Sequence, residues 1–425
     1  RIAERLKGPV KILMGPWAHL YPHEATPDPK VDFLDEILRF WDHWLKGRDT
    51  GLMDEPRLRF WIQEPIRPAG KVPMRAGRWI EETEWPSKHV SSKRFWLNRD
   101  TLGLEAATSH RSLEISSPQT FGLAGGDMCS FAIAGDMPLD CRQDAGGALL
   151  FRTEPLDASL DILGQPRVTL RVEADREQAF VVVLLVDEAR DGTQSLITRG
   201  FFNLTHRESD LAPKPVVPGE TMTVTVPLHG IAYRLPEGHR LMVQVASTYW
   251  PILWPAPEPV TLTLQAGTSV LDLPVRTAPS SESEPRPLPP PPPADRPRPS
   301  ARLREGKLER SLTLDQTNGV YRSRFFIDGG VFGPVGRMRL ETGTELGDIS
   351  DRIYEIHPHD PLSARASMTQ ESLFERDNWK ARLKTTSEQT ATSSEFILKA
   401  RVECWDGETL FHEVDWEYRI PRNGM

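Results

Sequence analysis

The stretch KILMGPWAHLYPHE, Lys11 to Glu24, runs an apolar segment into Gly15-Pro16-Trp17 and then presents His19. An imidazole at that place has three chemical uses: a buried structural group under Trp17, a metal ligand, or a catalytic base. The third follows from where open α/β sheets put their reactive groups, on loops past the carboxyl ends of strands. A histidine there can take a proton from a serine hydroxyl and return it to a leaving group, provided a carboxylate fixes its tautomer. His23 and Glu24 follow on the same loop and would stand at the entrance of such a site. The residues by themselves leave all three readings open.

Other chemistry-bearing groups are easier to explain as structure. Asp42 and His43 are adjacent on a helical stretch, and neighbouring helix positions point about 100° apart, so a shared site is awkward and solvation or capping fits better. YEIHPHDP, Tyr354 to Pro361, brings His357, His359 and Asp360 together. An H-x-H pair on a strand can bind a transition metal from one face, but Pro358 and Pro361 favour a loop or turn, and no other His or Cys is near in sequence. STYWPILWP, Ser247 to Pro255, could offer Tyr249, Trp250 and Trp254 as a sugar-binding strip; burial in a core or between domains is the expectation. Cys129, Cys141 and Cys404 are far apart, odd in number and without CxxC spacing, which suggests neither a disulfide framework nor a zinc site.

The elements that must position His19 read clearly. Pro9 to Met14 is predicted as a short buried strand ended by Gly15-Pro16. From Asp32 to Lys46, Phe33, Leu34, Ile37, Leu38, Trp41, Trp44 and Leu45 recur at spacings of three and four, which predicts an amphipathic helix stopped at Gly47. Pro56 to Glu64 returns as a strand. Strand, helix, strand is the grammar of an α/β domain, yet these residues are too few to cover one another without further parallel strands.

From Trp96 the pattern changes to short strands separated by turns such as Asp191-Gly192, Pro218-Gly219 and Glu237-Gly238. TMTVTV, from Thr221, alternates strictly and should have one wet face, whereas FVVVLLV, from Phe180, should be a central strand covered on both. Thr277 to Ser300, with five consecutive prolines from Pro289, reads as an extended semi-rigid spacer. Beyond it, strands with many charges on one face predict a half-exposed antiparallel sheet. The expected domains are 1–95, 96–276, a linker at 277–300, and 301–425.

The formal charge of −8 over 425 residues, without a Lys/Arg cluster, gives no footprint for nucleic acid or an anionic membrane. The chain opens at Arg1, with no signal peptide and no uninterrupted apolar run of about 18 residues. The expectation is that its true N-terminus lies upstream; the compartment is unknown, with the cytoplasm the default.

KILMGPWAH, followed by FLDEILRFWDHWLKGRDTGLMDEPRLRFWIQE, GRWIEETEWP, the stretch from Gly147 to Gly200 and GHRLMVQVASTYWP, resembles the CocE/NonD hydrolase family. These are serine hydrolases that include cocaine esterase, α-amino-acid ester hydrolases and X-Pro dipeptidyl-peptidases. The resemblance covers roughly Pro9 to Leu273. It implies the end of an α/β-hydrolase domain followed by an all-β jelly-roll sandwich, with residues 301–425 a further antiparallel β domain that no motif covers. It also implies that His19 is the base of a Ser-His-Asp triad. A nucleophilic serine on a G-x-S-x-G elbow and a triad aspartate should then precede it. No G-x-S-x-G occurs, and the eighteen residues before His19 contain no aspartate, so this chain is expected to be the C-terminal portion of a longer hydrolase and inactive alone. No cofactor and no metal is called for. The implied partner is a small-molecule ester, amide or peptide substrate, with homo-oligomer formation left open. The rival reading is a non-catalytic β-sandwich that binds a carbohydrate or a protein.

Overall fold

The structure, a computed structural model, describes residues 5–108, 111–279, 284–293, 301–330 and 333–424. Strand β1 (Ile12–Met14) is followed by helix α1 (Phe33–Lys46) and strand β2 (Leu58–Gln63), and β1 pairs with β2 in parallel, Ile12 opposite Leu58. The predicted strand–helix–strand unit is therefore present. Asp32 caps the helix by accepting the Asp35 N–H at 3.1 Å, and Gly47 ends it at φ 65° with its N–H on the Asp42 and His43 carbonyls. One expectation needs correction. β1 is half-buried, not buried, because it is the end strand of its sheet and pairs on one side only among the described residues.

The helix shows the same openness. None of its residues is buried, and Leu34, Leu38, Trp41, Trp44 and Leu45 are 46–74% exposed, so the apolar stripe meets no partner among the described residues. Ion pairs on its other side hold it: Arg39 to Glu55 at 2.6 Å, and Glu55 in turn to Arg59 at 2.9 Å. The described part of the proline-rich segment lies against the helix start, where Pro289 accepts the Asp32 N–H at 2.8 Å and Arg286 pairs with Glu36. The rest of that segment, 280–283 and 294–300, lies outside the described residues.

The next strands are β3 (Gly77–Glu82), β4 (Val90–Leu97), β5 (Leu102–Gly103), β6 (Ser112–Ile115), β7 (Leu149–Arg152), β8 (Leu160–Gly164) and β9 (Arg167–Ala174). They continue through β10 (Phe180–Glu188), β11 (Gln194–Asn203), β12 (Met222–Pro227), β13 (Ile231–Leu235), β14 (Arg240–Ala246), β15 (Leu262–Gln265) and β16 (Ser269–Arg276). A four-stranded sheet, β11-β10-β14-β7, stacks on a twelve-stranded sheet that holds the others together with β1 and β2. The mixed sheet thus runs from the parallel unit into the sandwich without a break: β2 also touches β13, and β4 pairs with β16.

The core follows the sequence pattern. In β10, Val181, Val183 and Leu185 face the cluster shared with the larger sheet, while Val182, Leu184 and Val186 face a second cluster with Phe121, Met242 and Tyr249. Both faces are covered, as a strand apolar throughout requires. In β12 only Val224 and Val226 are buried, the expected alternation.

Among the described residues nine antiparallel strands make the C-terminal sheet: β17 (Ala301–Arg304), β18 (Leu308–Asp315), β19 (Val320–Asp328), β20 (Arg337–Arg339), β21 (Glu345–His357), β22 (Asp360–Arg376), β23 (Trp379–Ala391), β24 (Glu395–Asp406) and β25 (Thr409–Pro421). One face carries ion pairs such as Arg365–Glu388 and Arg401–Asp415. The sheet docks on the sandwich through the aromatic segment. Tyr249 and Trp250 are each 1% exposed, the Trp250 ring meets Tyr354 at 6.2 Å, and Trp254 meets Phe396 at 6.1 Å. That burial leaves Tyr249 and Trp250 no face for a sugar.

Candidate active site

β1 stops because Gly15-Pro16 turns the chain, and Gly15 is required there: a Cβ would lie 2.6 Å from the Trp17 ring. Trp17 is fixed by its Nε1–H on the Pro29 carbonyl, 2.8 Å, and by contact with Trp79 at 6.1 Å. His19 follows, exposed. Its backbone N–H donates to the Ser130 carbonyl at 2.7 Å, and its ring meets Phe131 edge-on, centroids 5.2 Å apart. Among the described residues the imidazole has no hydrogen bond or ion pair, so it is not tied to Trp17.

The remaining singled-out residues lie elsewhere. His23 stacks on Tyr21 and reaches Glu24 at 3.5 Å on the same loop. Asp42 is engaged by Lys46 at 2.6 Å and Arg48 at 3.0 Å, while the His43 ring meets Trp44. His357 ends β21 and His359 lies in the turn before β22, and the His357 Nδ1 accepts the His359 N–H at 3.3 Å. Among the described residues no three His, Cys, Asp or Glu side chains gather where they could hold a metal ion. The cysteines are free, and burial pushes the Cys141 thiol up to about 12.

The wall beside His19 is the loop 117–137, which sequence reasoning missed. Its glycines were the available signal: Gly126 has φ 67°, and a Cβ there would lie 2.6 Å from the Asp136 carbonyl oxygen. Arg199 donates to the Gly125 and Asp127 carbonyls at 2.6 and 2.7 Å, and the Asp136 carboxylate accepts the Phe131 and Ile133 N–H groups at 2.9 and 3.2 Å. Arg310 of β18 closes the clamp on Asp127 at 2.6 Å and Asp136 at 3.1 Å. Burial, with Asp127 nearby, raises the Asp136 carboxyl above its ordinary value despite those bonds.

A further anchor is Asp144, whose Oδ2 accepts the Gly122 and Ala124 N–H groups at 3.2 and 3.1 Å. Burial pushes it up to about 6. A folded value above the unfolded one means that the native state loses stability as pH rises from about 4 through 6, with the whole cost present above that. An Asp144→Asn chain keeps one acceptor oxygen and loses the charge. It should be more stable than the parent by about 1–3 kcal/mol at pH 8 and equal to it at pH 4. Urea unfolding at the two pH values checks this; a variant weaker at pH 8 would contradict it.

A buried Asp paired with a histidine also escaped sequence reasoning. The buried Asp187 accepts from Tyr233 Oη at 2.7 Å and holds His239 Nδ1 at 2.7 Å, in a cleft of about 340 Å³ that Ser195 also lines. The Ser195 hydroxyl donates instead to the Ile66 carbonyl at 2.9 Å, so this imidazole has no nucleophile bonded to it. The pair ties β10, β13 and the start of β14 together.

Residues 50–286 match the family described as the X-Pro dipeptidyl-peptidase C-terminal non-catalytic domain. This chain belongs to that family. Its relatives include a protein of Mycobacterium bovis named as a serine esterase, 26% identical over 274 residues, 55% of this chain and 40% of the relative. Cocaine esterase of a Rhodococcus species is 24% identical over 272 residues, 59% and 46% of the two chains. A Streptomyces avermitilis protein named as an Xaa-Pro dipeptidyl-peptidase is 21% identical over 306 residues, 62% and 42%. The chain thus spans under half the length of these relatives. In fold it is similar to an aminopeptidase from a Thaumarchaeota archaeon, TM-score 0.51 at 20% identity, covering 63% of this chain and 50% of that one. An α-amino acid ester hydrolase gives TM-score 0.50 at 20% identity, with the same coverage. These matches agree with the CocE/NonD-like grouping that the motifs suggested. What they share with this X-Pro dipeptidyl-peptidase C-terminal family member is a largely β architecture in several sheets.

Proposed function

We propose that this chain is the C-terminal portion of a serine hydrolase that cleaves ester or amide acyl bonds, with His19 as the base of its Ser-His-Asp triad. Residues 1–95 are then the end of an α/β-hydrolase domain, 96–276 a jelly roll, and 301–425 an added β domain beyond the 277–300 linker. The observation that carries the reading is the exposed, unbonded imidazole of His19 at the carboxyl end of β1, in a parallel unit whose helix leaves its apolar stripe uncovered. A strand and helix open in this way fit the edge of a larger parallel sheet. The relatives named as cocaine esterase and Xaa-Pro dipeptidyl-peptidase support the same class.

In the reaction, the serine oxygen attacks the acyl carbon while His19 takes its proton. Collapse of the tetrahedral intermediate breaks the bond to the leaving group, which receives that proton, and leaves an acyl-serine ester. Water, deprotonated by the same imidazole, then hydrolyses this ester and regenerates the serine. The aspartate orients His19 and stabilises its charged form. On this reading both partners come from a part of a longer polypeptide that this chain does not contain, and the substrate is a small ester, amide or peptide.

A fluorophosphonate probe tests this. The 425-residue chain should remain unlabelled, and the polypeptide expressed with its upstream coding sequence should be labelled at one serine. Stoichiometric labelling of the 425-residue chain, or none of the intact longer one, would overturn the reading.

A further inference from the structure

We propose that the C-terminal sheet holds a binding site for an anionic amphiphile, a carboxylate carrying an apolar chain, with Arg352 as its head-group partner. The strand register puts two rows side by side on the face opposite the ion-pair ladder. Tyr354, Ala366, Gln389, Leu398 and Tyr418 form one row; Arg352, Met368, Ser387, Ala400 and Trp416 form the next. The small side chains Ala366, Ser387 and Ala400 and the three rings of Tyr354, Trp416 and Tyr418 line a cavity of about 570 Å³. A second cavity of about 640 Å³ shares Arg352 and Met368 with it and continues past Phe325 and Leu346 to Phe131 and Ile133. Each is within the range of small-molecule sites, roughly 300–1,000 Å³, and together they form one elongated apolar trough.

Charge decides the ligand. Phe325 lies between two guanidinium groups, Arg310 at 5.2 Å and Arg352 at 4.4 Å from its centroid. Arg310 is neutralised by Asp127 and Asp136. Arg352 has no ion pair and no hydrogen bond among the described residues, and the cation–π contact replaces only part of the hydration it gives up. Of the other acids lining the trough, Asp348 is bonded to Gln370 Nε2 at 3.0 Å and Ser372 Oγ at 2.7 Å, and Glu388 pairs with Arg365 at 2.5 Å; the further lining cation, Lys399, pairs with Glu417 at 3.7 Å. Arg352 is thus the lining charge without a counter-ion among the described residues, and a half-buried guanidinium beside apolar surface fits one carboxylate, gripped by two N–H groups, with its tail along the trough. A two-fold contact through this face would instead bring up a second copy of the same cation. The proposal does not rest on the hydrolase reading, although Phe131, at the end of the trough, is also the ring that touches His19.

The test is fluorescence titration of the 425-residue chain with cis-parinaric acid, followed by competition with dodecanoate and with dodecanol below their aggregation limits. Saturable binding is expected, with dodecanoate the better competitor by about tenfold or more. In Arg352→Met the dodecanoate advantage should disappear while dodecanol competes as before. Ala400→Trp, which fills the cavity, should weaken both, with circular dichroism reporting whether it folds. Absence of saturable uptake, an unchanged acid-to-alcohol ratio in Arg352→Met, a folded Ala400→Trp that binds normally, or a dimer that excludes the probe would each overturn the site. None of these outcomes alters the serine-labelling result, so the two proposals fail separately.

Discussion

In the longer polypeptide that the hydrolase reading requires, His19→Ala is expected to lower kcat by on the order of 10⁴- to 10⁶-fold, the loss typical of removing a triad histidine. KM should change little, because the imidazole acts on the proton in flight and not on the bound ground state. In the 425-residue chain, where the exposed imidazole makes only an edge contact with Phe131, the same substitution should change stability by no more than about 0.5 kcal/mol. That contrast makes the experiment decisive. A structural histidine would lose melting temperature and activity together, whereas a base loses activity alone. His23→Ala is the internal control: its ring rests on Tyr21 and Glu24, and its removal should leave kcat within a few-fold. Retained turnover in His19→Ala, or equal losses in both variants, would remove His19 from the reaction.

The two ends of this argument were unequally legible in the sequence. The position of His19 could be read because Gly-Pro punctuation after an apolar run is local, and α1 because its stripe and both caps lie within sixteen residues. That the stripe is uncovered could not be read: a sequence shows which face is apolar, not what lies on it. The covered state of β10 was legible because its run from Phe180 to Val186 is apolar at every position, which a strand with one wet face is not. β21 and β22 carry little strand signal in the sequence, since Glu, Asp, Ser and Arg occupy much of both faces and pairing rests on register, not on intrinsic propensity. The wall beside His19 was the least legible part. Its clamp joins Asp127 and Asp136 to Arg310, 183 and 174 residues further along, and no local pattern carries such a pairing.

Replacing Arg276 by methionine should be strongly destabilising, although it lies away from the candidate site. Arg276 Nε donates to Glu82 Oε1 at 2.7 Å, and the two side chains are 1% and 2% exposed. Ser87 Oγ, at 2.7 Å, and His89 Nδ1, at 3.0 Å, engage the other oxygen. The pair joins β16 of the sandwich to β3 beside the parallel unit, so it fastens the sheet region behind His19. Removing one partner of a buried ion pair leaves the other charge without its counter-ion, and a loss of about 3–5 kcal/mol is expected at pH 7. The pH dependence identifies the cause. Burial by itself pushes Glu82 up, but the bonds from Ser87, Arg276 and His89 outweigh it and hold the carboxyl below its ordinary value. In the parent, this stabilisation is present above the unfolded pKa of about 4.3 and is lost as pH falls through the lower folded value. In Arg276→Met the hydrogen bond and the charge of the guanidinium are gone and the folded value rises, so the penalty is fully present near neutral pH and fades as pH falls and Glu82 takes up a proton. The gap between parent and variant in denaturant unfolding should therefore narrow from pH 7 to pH 4, and Glu82→Gln added to Arg276→Met should recover part of the loss at pH 7. A gap of constant size would mean that the cost lies in lost packing of the arginine stem and not in a stranded carboxylate.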